Sequence, residues 1–208
     1  MSQATRYRVR VKRIALAGGI GAGKSTVLEY LGALGFVTVD ADLVYHDLVY
    51  AGSPLLHTLV DAFGSAILGP DGGLDRGFLA AVVFHDDTAL ARLNAITHPA
   101  VGRALRAALE DATGLAAFVA IPLLRAEHRH ELALDEVWSV LVSPEVAAHR
   151  LVNQRAMSDD DARARIAHQM SNEERAAISD EVIWNDADRP ALEQRIDELL
   201  RERGLRGH

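Results

Sequence analysis

The chain has 208 residues, of which 49% are hydrophobic, and its formal net charge is −7. This length predicts one domain with excursions or two small domains, and the negative charge argues against nucleic acid as a partner. The chain holds no cysteine, which excludes disulfides, thiolate zinc sites and cysteine nucleophiles. No stretch is long and apolar enough to span a membrane, so we expect no membrane association and a cytoplasmic protein.

The chain begins with a basic segment, Thr5–Arg13, which we interpret as a solvated extension because the apolar run behind it is too short for a secretion signal. Five apolar runs are predicted as strands: Val11–Ala17, Phe36–Val39, Leu115–Ile121, Val137–Val142 and Glu181–Trp184. Segments with helical periodicity lie between them. The alternation predicts an α/β fold whose mostly parallel sheet is covered by helices on both faces. Ligands of such folds bind at the carboxyl ends of the strands.

The segment between the first strand and the first helix is a phosphate-binding loop by its pattern. Gly18–Ser25 reads GGIGAGKS and fits G-x-x-x-x-G-K-[ST] without exception. Its glycines let successive amide N–H groups converge on phosphate oxygens at the positive end of a helix. Lys24 is predicted to reach the β- and γ-phosphates, and the Ser25 hydroxyl to join the shell of a Mg²⁺ ion. Lys12 is the only other lysine of the chain, so a lysine in this slot is itself indicative.

Acidic residues end the second strand, in the run Val39-Asp40-Ala41-Asp42. An aspartate beside the loop could accept a proton from an attacking hydroxyl or organise Mg²⁺ through water. The alternative is structural, because Asp42 begins an apolar-periodic helix and aspartate is a favoured N-cap. We favour catalysis for Asp42 and leave a supporting role for Asp40 open.

About 75 residues separate the second and third strands, far more than one crossover helix needs. Four helices are predicted in this insertion: Ser53–Phe63, Asp75–Phe84, Asp86–Ile96 and Pro99–Ala112. A turn is expected at Gly69–Gly73. The insertion is either structural padding or a binding region for a large second substrate, and its place at the ligand edge favours the second interpretation.

A second excursion, His149–Arg175, follows the fourth strand and is polar and rich in arginine. It is typical of the mobile cover that closes over phosphates in small kinases. Arg155 is the favoured phosphate contact and Arg150 the next. Less favoured are the remaining arginines of the segment: Arg163, Arg165 and Arg175.

Two other classes of nucleotide-binding protein fail on their motifs. Asp61–Gly64 and Asp111–Gly114 match the D-x-x-G pattern of a GTPase switch, but both follow helical segments and the chain has no N-K-x-D. Neither the third nor the fourth strand ends in an acidic residue, as the Walker B motif of an ATPase would require.

The motifs in their order resemble the dephospho-coenzyme A kinase family over almost the whole chain. The matching segments are GGIGAGKST (18–26), VDAD (39–42), SPLL (53–56), DGGLDRGFLAAVVF (71–84), THPAV (97–101), IPLL (121–124), VSPE (142–145), Gln154-Arg155 and VIWND (182–186). The first segment is common among kinases with this loop, and the combination of the others is much more distinctive.

The resemblance implies a P-loop kinase-like fold with a five-stranded parallel sheet. It implies a nucleotide-binding core (1–50, 115–148 and 176–208), a helical acceptor domain (51–114) and a lid (149–175). The implied reaction moves the γ-phosphate of ATP, with Mg²⁺, to the ribose 3′-hydroxyl of dephospho-coenzyme A. Both partners are small molecules, and we expect a monomer or a weak homo-oligomer.

The resemblance also implies roles for individual residues. Asp42 would be the base, Lys24 and Arg155 would act on the transferred phosphoryl group, and Ser25 would hold the metal. The residues implied in ATP binding are Gly18, Gly19, Gly21, Ala22, Gly23, Lys24, Ser25, Thr26 and Asn185, the last near the adenine. Those implied on the acceptor side are Asp40, His98, Pro122 and Leu123. From the residues alone, His98 could equally start a helix and Pro122-Leu123-Leu124 could be a strand exit packed on the core.

The chain departs from the family pattern at three places: Ala17 stands where threonine is frequent, Glu127 is one residue late after the PLL segment, and Ala156 follows the lid arginine. Two rival functions stay open. One is a kinase for a nucleoside or a nucleoside monophosphate, and the other is a nucleotide-sensing protein without transferase activity.

Overall fold

The computed structural model describes residues 10–84, 86–122, 124–155 and 157–206. Residues 5–9 of the predicted basic extension Thr5–Arg13 and the predicted acceptor residue Leu123 lie outside the described residues, whereas Lys12 and Arg13 belong to the first strand and not to a solvated extension. The strands are β1 (Lys12–Gly18), β2 (Val37–Asp40), β3 (Ala116–Ala120), β4 (Glu136–Leu141) and β5 (Glu181–Trp184). The helices are α1 (Lys24–Ala33), α2 (Ala41–Leu48), α3 (Pro54–Phe63), α4 (Arg76–Phe84), α5 (Asp87–Glu110), α6 (Ala126–Glu131), α7 (Pro144–Arg155), α8 (Asp159–Ala167), α9 (Asn172–Ala177) and α10 (Arg189–Glu202), with a 3₁₀ turn at Ser65–Ile67.

The strands form one sheet in the order β2-β3-β1-β4-β5. The pairs β1–β3, β1–β4 and β4–β5 are parallel. Every residue of β3 and β4 is buried, which is the burial pattern of parallel strands covered on both faces. The predicted α/β fold with a five-stranded parallel sheet is therefore confirmed.

The core of the sheet lies under α1 and α10. Phe118 of β3 stacks edge-on against Trp138 of β4 with ring centroids 5.4 Å apart, and both are fully buried. Ile14, Leu31 and Ile196 belong to the same apolar cluster. This packing fixes the carboxyl end of β1, from which the phosphate-binding loop leaves the sheet.

The described residues divide into two compact units. One comprises the residues up to Val39 and from Asp111 onward, and includes the sheet. The second, Asp40–Glu110, is helical and has its own apolar cluster around Val49, Leu59, Ile67 and Leu79. The turn predicted at Gly69–Gly73 is present, with the Gly72 N–H donating to the Gly69 carbonyl at 3.0 Å.

One prediction in the second unit is wrong. The sequence predicted a break before Pro99, whereas α5 runs without interruption from Asp87 to Glu110 and includes it. A proline inside a helix removes the N–H that would bond the carbonyl of Ala95. Packing of α5 against α2, α3 and α4 stabilises the helix despite that defect. His98 consequently lies inside a helix and does not start one.

Glu136, at the start of β4, forms ion pairs with one residue near each end of the sequence. Its carboxylate pairs with Lys12, accepts from the Trp138 Nε1–H at 2.7 Å and lies 3.2 Å from Arg203 Nη1. Burial alone would raise the pKa of Glu136, but the bonds from Lys12 and Trp138 and the nearby cations hold it below its ordinary value of 4.5.

A pH dependence of stability follows from Glu136. A carboxylate with a depressed native pKa stabilises the fold fully above its unfolded pKa, and that contribution is lost as the pH falls through the native value. We expect Glu136→Gln to lower the free energy of unfolding at pH 7 by about 2 kcal/mol, since a charged hydrogen bond is lost. Urea unfolding at pH 7 and pH 3.5 checks this, and the variant should lose less stability on acidification than the parent. An equal loss in both proteins would contradict it.

Candidate active site

The phosphate-binding loop joins β1 directly to α1. Gly21 and Gly23 have φ angles of +73° and +93°, which L side chains rarely adopt. A Cβ on Gly18 would lie 2.6 Å from the carbonyl oxygen of Val140. The glycine pattern in the sequence is thus required by backbone angles and close approach. No described side chain caps the N-terminus of α1, which places the positive end of the helix at the loop, the type of position where anions bind.

Lys24 is the first residue of α1, and its side chain folds back over the loop. Its Nζ donates to the carbonyl oxygens of Gly18 at 2.8 Å and Gly19 at 3.3 Å. These bonds hold the ammonium beside the Gly18 and Gly19 carbonyls of the loop. An anion bound by the loop amides would lie close to it. Ser25 follows on the exposed side of the helix and Thr26 is half-buried.

Asn185 follows β5 and supports the loop from beneath. Its side chain is buried, and its Nδ2 donates to the carbonyl oxygen of Ala22 at 2.8 Å. Its own carbonyl accepts from Arg150 Nη2 at 2.8 Å, and Arg150 Nη1 donates to Gly21 at 3.2 Å. Arg150 therefore binds two main-chain carbonyls at the loop. The adenine contact of Asn185 stays a prediction.

Gly23 gives a test of this support. In Gly23→Ala the new Cβ would both meet Asn185 Nδ2 and sit at a left-handed φ, so we expect weaker ATP binding together with a stability loss of about 1–2 kcal/mol. Gly35→Ala is the matched control, because Gly35 has a φ of +89° but no atom within 4 Å of a new Cβ. It should lose similar stability and keep its ATP affinity, measured by calorimetric titration. Equal ATP affinities in both variants would contradict the argument.

The acidic pair at the end of β2 belongs to the second unit. Asp40 is the N-cap of α2, and its side chain accepts from the Asp42 N–H at 2.8 Å. The alternative that Asp42 caps this helix is therefore wrong, since Asp40 does so. Asp42 lies in the first turn of α2 with an exposed side chain. Its catalytic role stays a prediction, as does the acceptor role of Asp40.

The other predicted residues are less informative. His98 is exposed on α5, and Pro122 is half-buried in a turn beyond the carboxyl end of β3. Arg155 is the last residue of α7, and its side chain lies outside what the structure describes. Glu127 is exposed in the first turn of α6.

Two residues after α8 contact the loop although the sequence did not point to them: Gln169 was not predicted as a site residue, and Arg175 was among the less favoured arginines. Gln169 Oε1 accepts from the Ile20 N–H of the loop at 2.9 Å. Arg175 donates to the same oxygen at 3.3 Å and is buried. In the sequence both stand in a polar, arginine-rich stretch and look like surface residues. Only the tertiary contact with the loop distinguishes them.

The described residues contain no group of three or more His, Asp or Glu side chains placed to hold a metal ion. None of the described helices combines the length and the apolar character that crossing a bilayer would take.

Comparison with known proteins finds similar sequences and structures over almost the whole chain. The family model of dephospho-CoA kinase matches residues 12–190. A dephospho-CoA kinase of Streptomyces avermitilis is 44% identical over 198 residues, which cover 94% of this chain and 96% of that protein. A Thermus thermophilus crystal structure is 31% identical with a TM-score of 0.80 and covers 95% of this chain and 100% of that one. The dephospho-CoA kinase structure from Campylobacter jejuni is 25% identical with a TM-score of 0.62, covering 93% and 97%.

Proposed function

The chain belongs to the dephospho-CoA kinase family, and we propose that it transfers the γ-phosphoryl group of ATP to the ribose 3′-hydroxyl of dephospho-coenzyme A, the last step of coenzyme A synthesis. The observation that carries the proposal is a complete phosphate-binding loop within a chain matched along almost its whole length by that family. The loop would bind the triphosphate of ATP, and membership of the family indicates that dephospho-coenzyme A is the acceptor.

The loop provides most of what phosphoryl transfer asks of a protein. Amides of the loop and of the first turn of α1 would surround the phosphates, in the stretch from Gly18 to Thr26. Lys24, already held at the loop mouth, would move its ammonium from the Gly18 carbonyl to the β- and γ-phosphate oxygens. Charge that spreads over the transferred group would then meet fixed positive dipoles and one cation.

Ser25 fits a magnesium ion by its chemistry. Mg²⁺ takes oxygen ligands, keeps several waters and usually binds through few protein groups together with substrate phosphates. An exposed hydroxyl at the first turn of α1 meets that requirement. The ion would neutralise charge on the β- and γ-phosphates when bound.

The acceptor side would be supplied by the helical insertion and Asp42. The 3′-oxygen attacks the γ-phosphorus, the bond from that phosphorus to the β–γ bridging oxygen breaks, ADP leaves, and the hydroxyl proton passes to the Asp42 carboxylate. A weak base suffices, because alignment and charge neutralisation do most of the work in this reaction. Asp40, His98, Pro122 and Leu123 stay proposed acceptor residues.

A cavity of about 440 Å³ within the second unit supports acceptor binding there. Its lining includes Tyr50, Asp71 and Arg76, and the Arg76 guanidinium stands 5.6 Å from the centre of the Tyr45 ring. The lining offers one guanidinium, of Arg76, and one aromatic ring, of Tyr50, to a ligand that carries both a phosphate and an adenine, beside the carboxylates of Asp47 and Asp71. We also propose that residues 149–175 form a lid that carries Arg155. Asn185 would contact the adenine of ATP. The cytoplasmic location and the monomeric or weakly associating state stay predictions.

An acceptor screen tests the function. The purified protein is given Mg²⁺-ATP and, separately, dephospho-coenzyme A, AMP or adenosine, and ADP release is followed through a coupled assay. We expect release that depends on dephospho-coenzyme A. Turnover on AMP or adenosine alone would favour the rival kinase, and ATP binding without any acceptor-dependent ADP release would favour the sensing protein.

A further inference from the structure

Arg175 is a buried cation directly behind the phosphate-binding loop. Its side chain is 7% exposed, although it belongs to the short helix α9 in an otherwise polar segment. Within the described ranges, no carboxylate lies at ion-pair distance from its guanidinium, and Gln169 Oε1 is its one side-chain acceptor, at 3.3 Å. Burial accordingly lowers the pKa of Arg175. A guanidinium has five N–H donors and keeps its charge, so Arg175 is a mostly buried cation with one side-chain acceptor, although none of its nitrogens is both fully buried and without a hydrogen-bond partner.

Gln169 connects this cation to the loop. Its amide oxygen accepts from the Ile20 N–H at 2.9 Å as well as from Arg175 Nη2. The main chain at Gly19 packs against both groups, because a Cβ there would lie 3.1 Å from Gln169 Oε1 and 3.6 Å from Arg175 Nη2. The loop pattern allows any residue at position 19. Glycine at this position lets the Gln169 oxygen approach the loop backbone, and the guanidinium would stay at ordinary van der Waals distance from a Cβ.

The arrangement suits an anion on the other side of the loop. A mostly buried cation that forms no ion pair with the described residues is unfavourable by itself, and a nearby negative ligand stabilises it. Attraction in such a poorly hydrated place is screened little by water or salt. The phosphates of a nucleotide held by the loop amides would be that anion.

We propose that Arg175 is a positioning and electrostatic residue of the nucleotide site, which holds Gln169 on the Ile20 amide and adds positive charge beneath the loop, so that nucleoside triphosphates bind more tightly than monophosphates. The inference rests on the proposed function, since it presumes that the loop binds ATP.

Two variants separate charge from shape. Arg175→Met removes the charge and keeps much of the volume. Gln169→Glu keeps an oxygen acceptor for Ile20 and Arg175 but places a negative charge beside the guanidinium. We expect each to weaken ATP binding by about tenfold and AMP binding by much less, and to leave the salt dependence of ATP affinity nearly unchanged, because the lost attraction is screened little by salt. Arg201→Met, on the exposed side of α10, is the control for net charge and should keep its ATP affinity.

Calorimetric titrations with ATP and AMP at two salt concentrations decide the matter, with thermal unfolding measured without nucleotide. Should Arg175→Met unfold, Gln169→Glu carries the test alone. ATP affinity of Gln169→Glu within twofold of the parent overturns the inference, and so does an equal loss for ATP and AMP, which a purely structural role predicts. A parent protein that fails to bind ATP overturns the proposed function and this inference with it.

Discussion

Replacing Lys24 by methionine is expected to lower kcat by about 10³-fold or more, because the variant keeps the length of the side chain but loses the charge that stabilises the transferred phosphoryl group. The ammonium already lies at the loop mouth, 2.8 Å from the Gly18 carbonyl oxygen. Lys24→Arg should not restore activity, since a planar fork does not replace a compact ammonium. Steady-state ADP release with saturating ATP and dephospho-coenzyme A measures both variants.

The control for Lys24→Met is the other lysine of the chain. Lys12 begins β1 and pairs with Glu136, in a different part of the fold from the loop. Lys12→Met should keep kcat within twofold while it lowers the unfolding temperature. If Lys24→Met kept more than a tenth of the parent turnover, the loop would bind phosphate without contributing to the chemistry.

The strands illustrate how far the sequence determines this fold. β5 was predicted with its observed bounds, and every end of the other four strands was predicted to within one residue. Hydrophobicity identifies the buried stretch but not the end of the hydrogen-bond ladder. Gly18, for instance, has no hydrophobic side chain to mark it as part of a strand. It belongs to β1 because it pairs with Val140 of β4.

Pro99 shows where local rules fail. The local preference predicts a helix boundary before proline, and it is outweighed by the packing of α5 on three other helices of its unit. That packing depends on contacts between segments distant in sequence, which periodicity does not reveal.

The candidate site, too, has one part that the sequence predicts and another that only the tertiary structure reveals. Its phosphate loop is contiguous, so a pattern of eight residues predicts it. Its supports come from far along the chain: Gln169 is 149 residues from Ile20, and Asn185 is 163 residues from Ala22. A glutamine or an arginine in a polar segment carries no local sign of such a contact, and for that reason Arg175 ranked among the less favoured arginines.

Asp42→Asn is expected to lower kcat by about 10²–10⁴-fold, the usual contribution of a positioned general base, and to leave the dissociation constant of ATP nearly unchanged. The fold should tolerate the change. Asp40, not Asp42, supplies the side-chain cap of α2, so an amide at position 42 leaves that bond in place. Single-turnover ADP formation with ATP and dephospho-coenzyme A, together with an ATP titration, separates loss of chemistry from loss of binding.

Asp61→Asn is the matched control for Asp42→Asn. Asp61 is an exposed carboxylate on α3 of the same unit, and it begins one of the two D-x-x-G matches that follow helical segments. Its variant should keep kcat within twofold, whereas a switch-type nucleotide site would need this carboxylate. If Asp42→Asn turned over within threefold of the parent while both variants bound ATP normally, the proton of the acceptor hydroxyl would leave by another route, to solvent or to the phosphate itself. Catalysis would then rest on the loop, Lys24 and the metal alone.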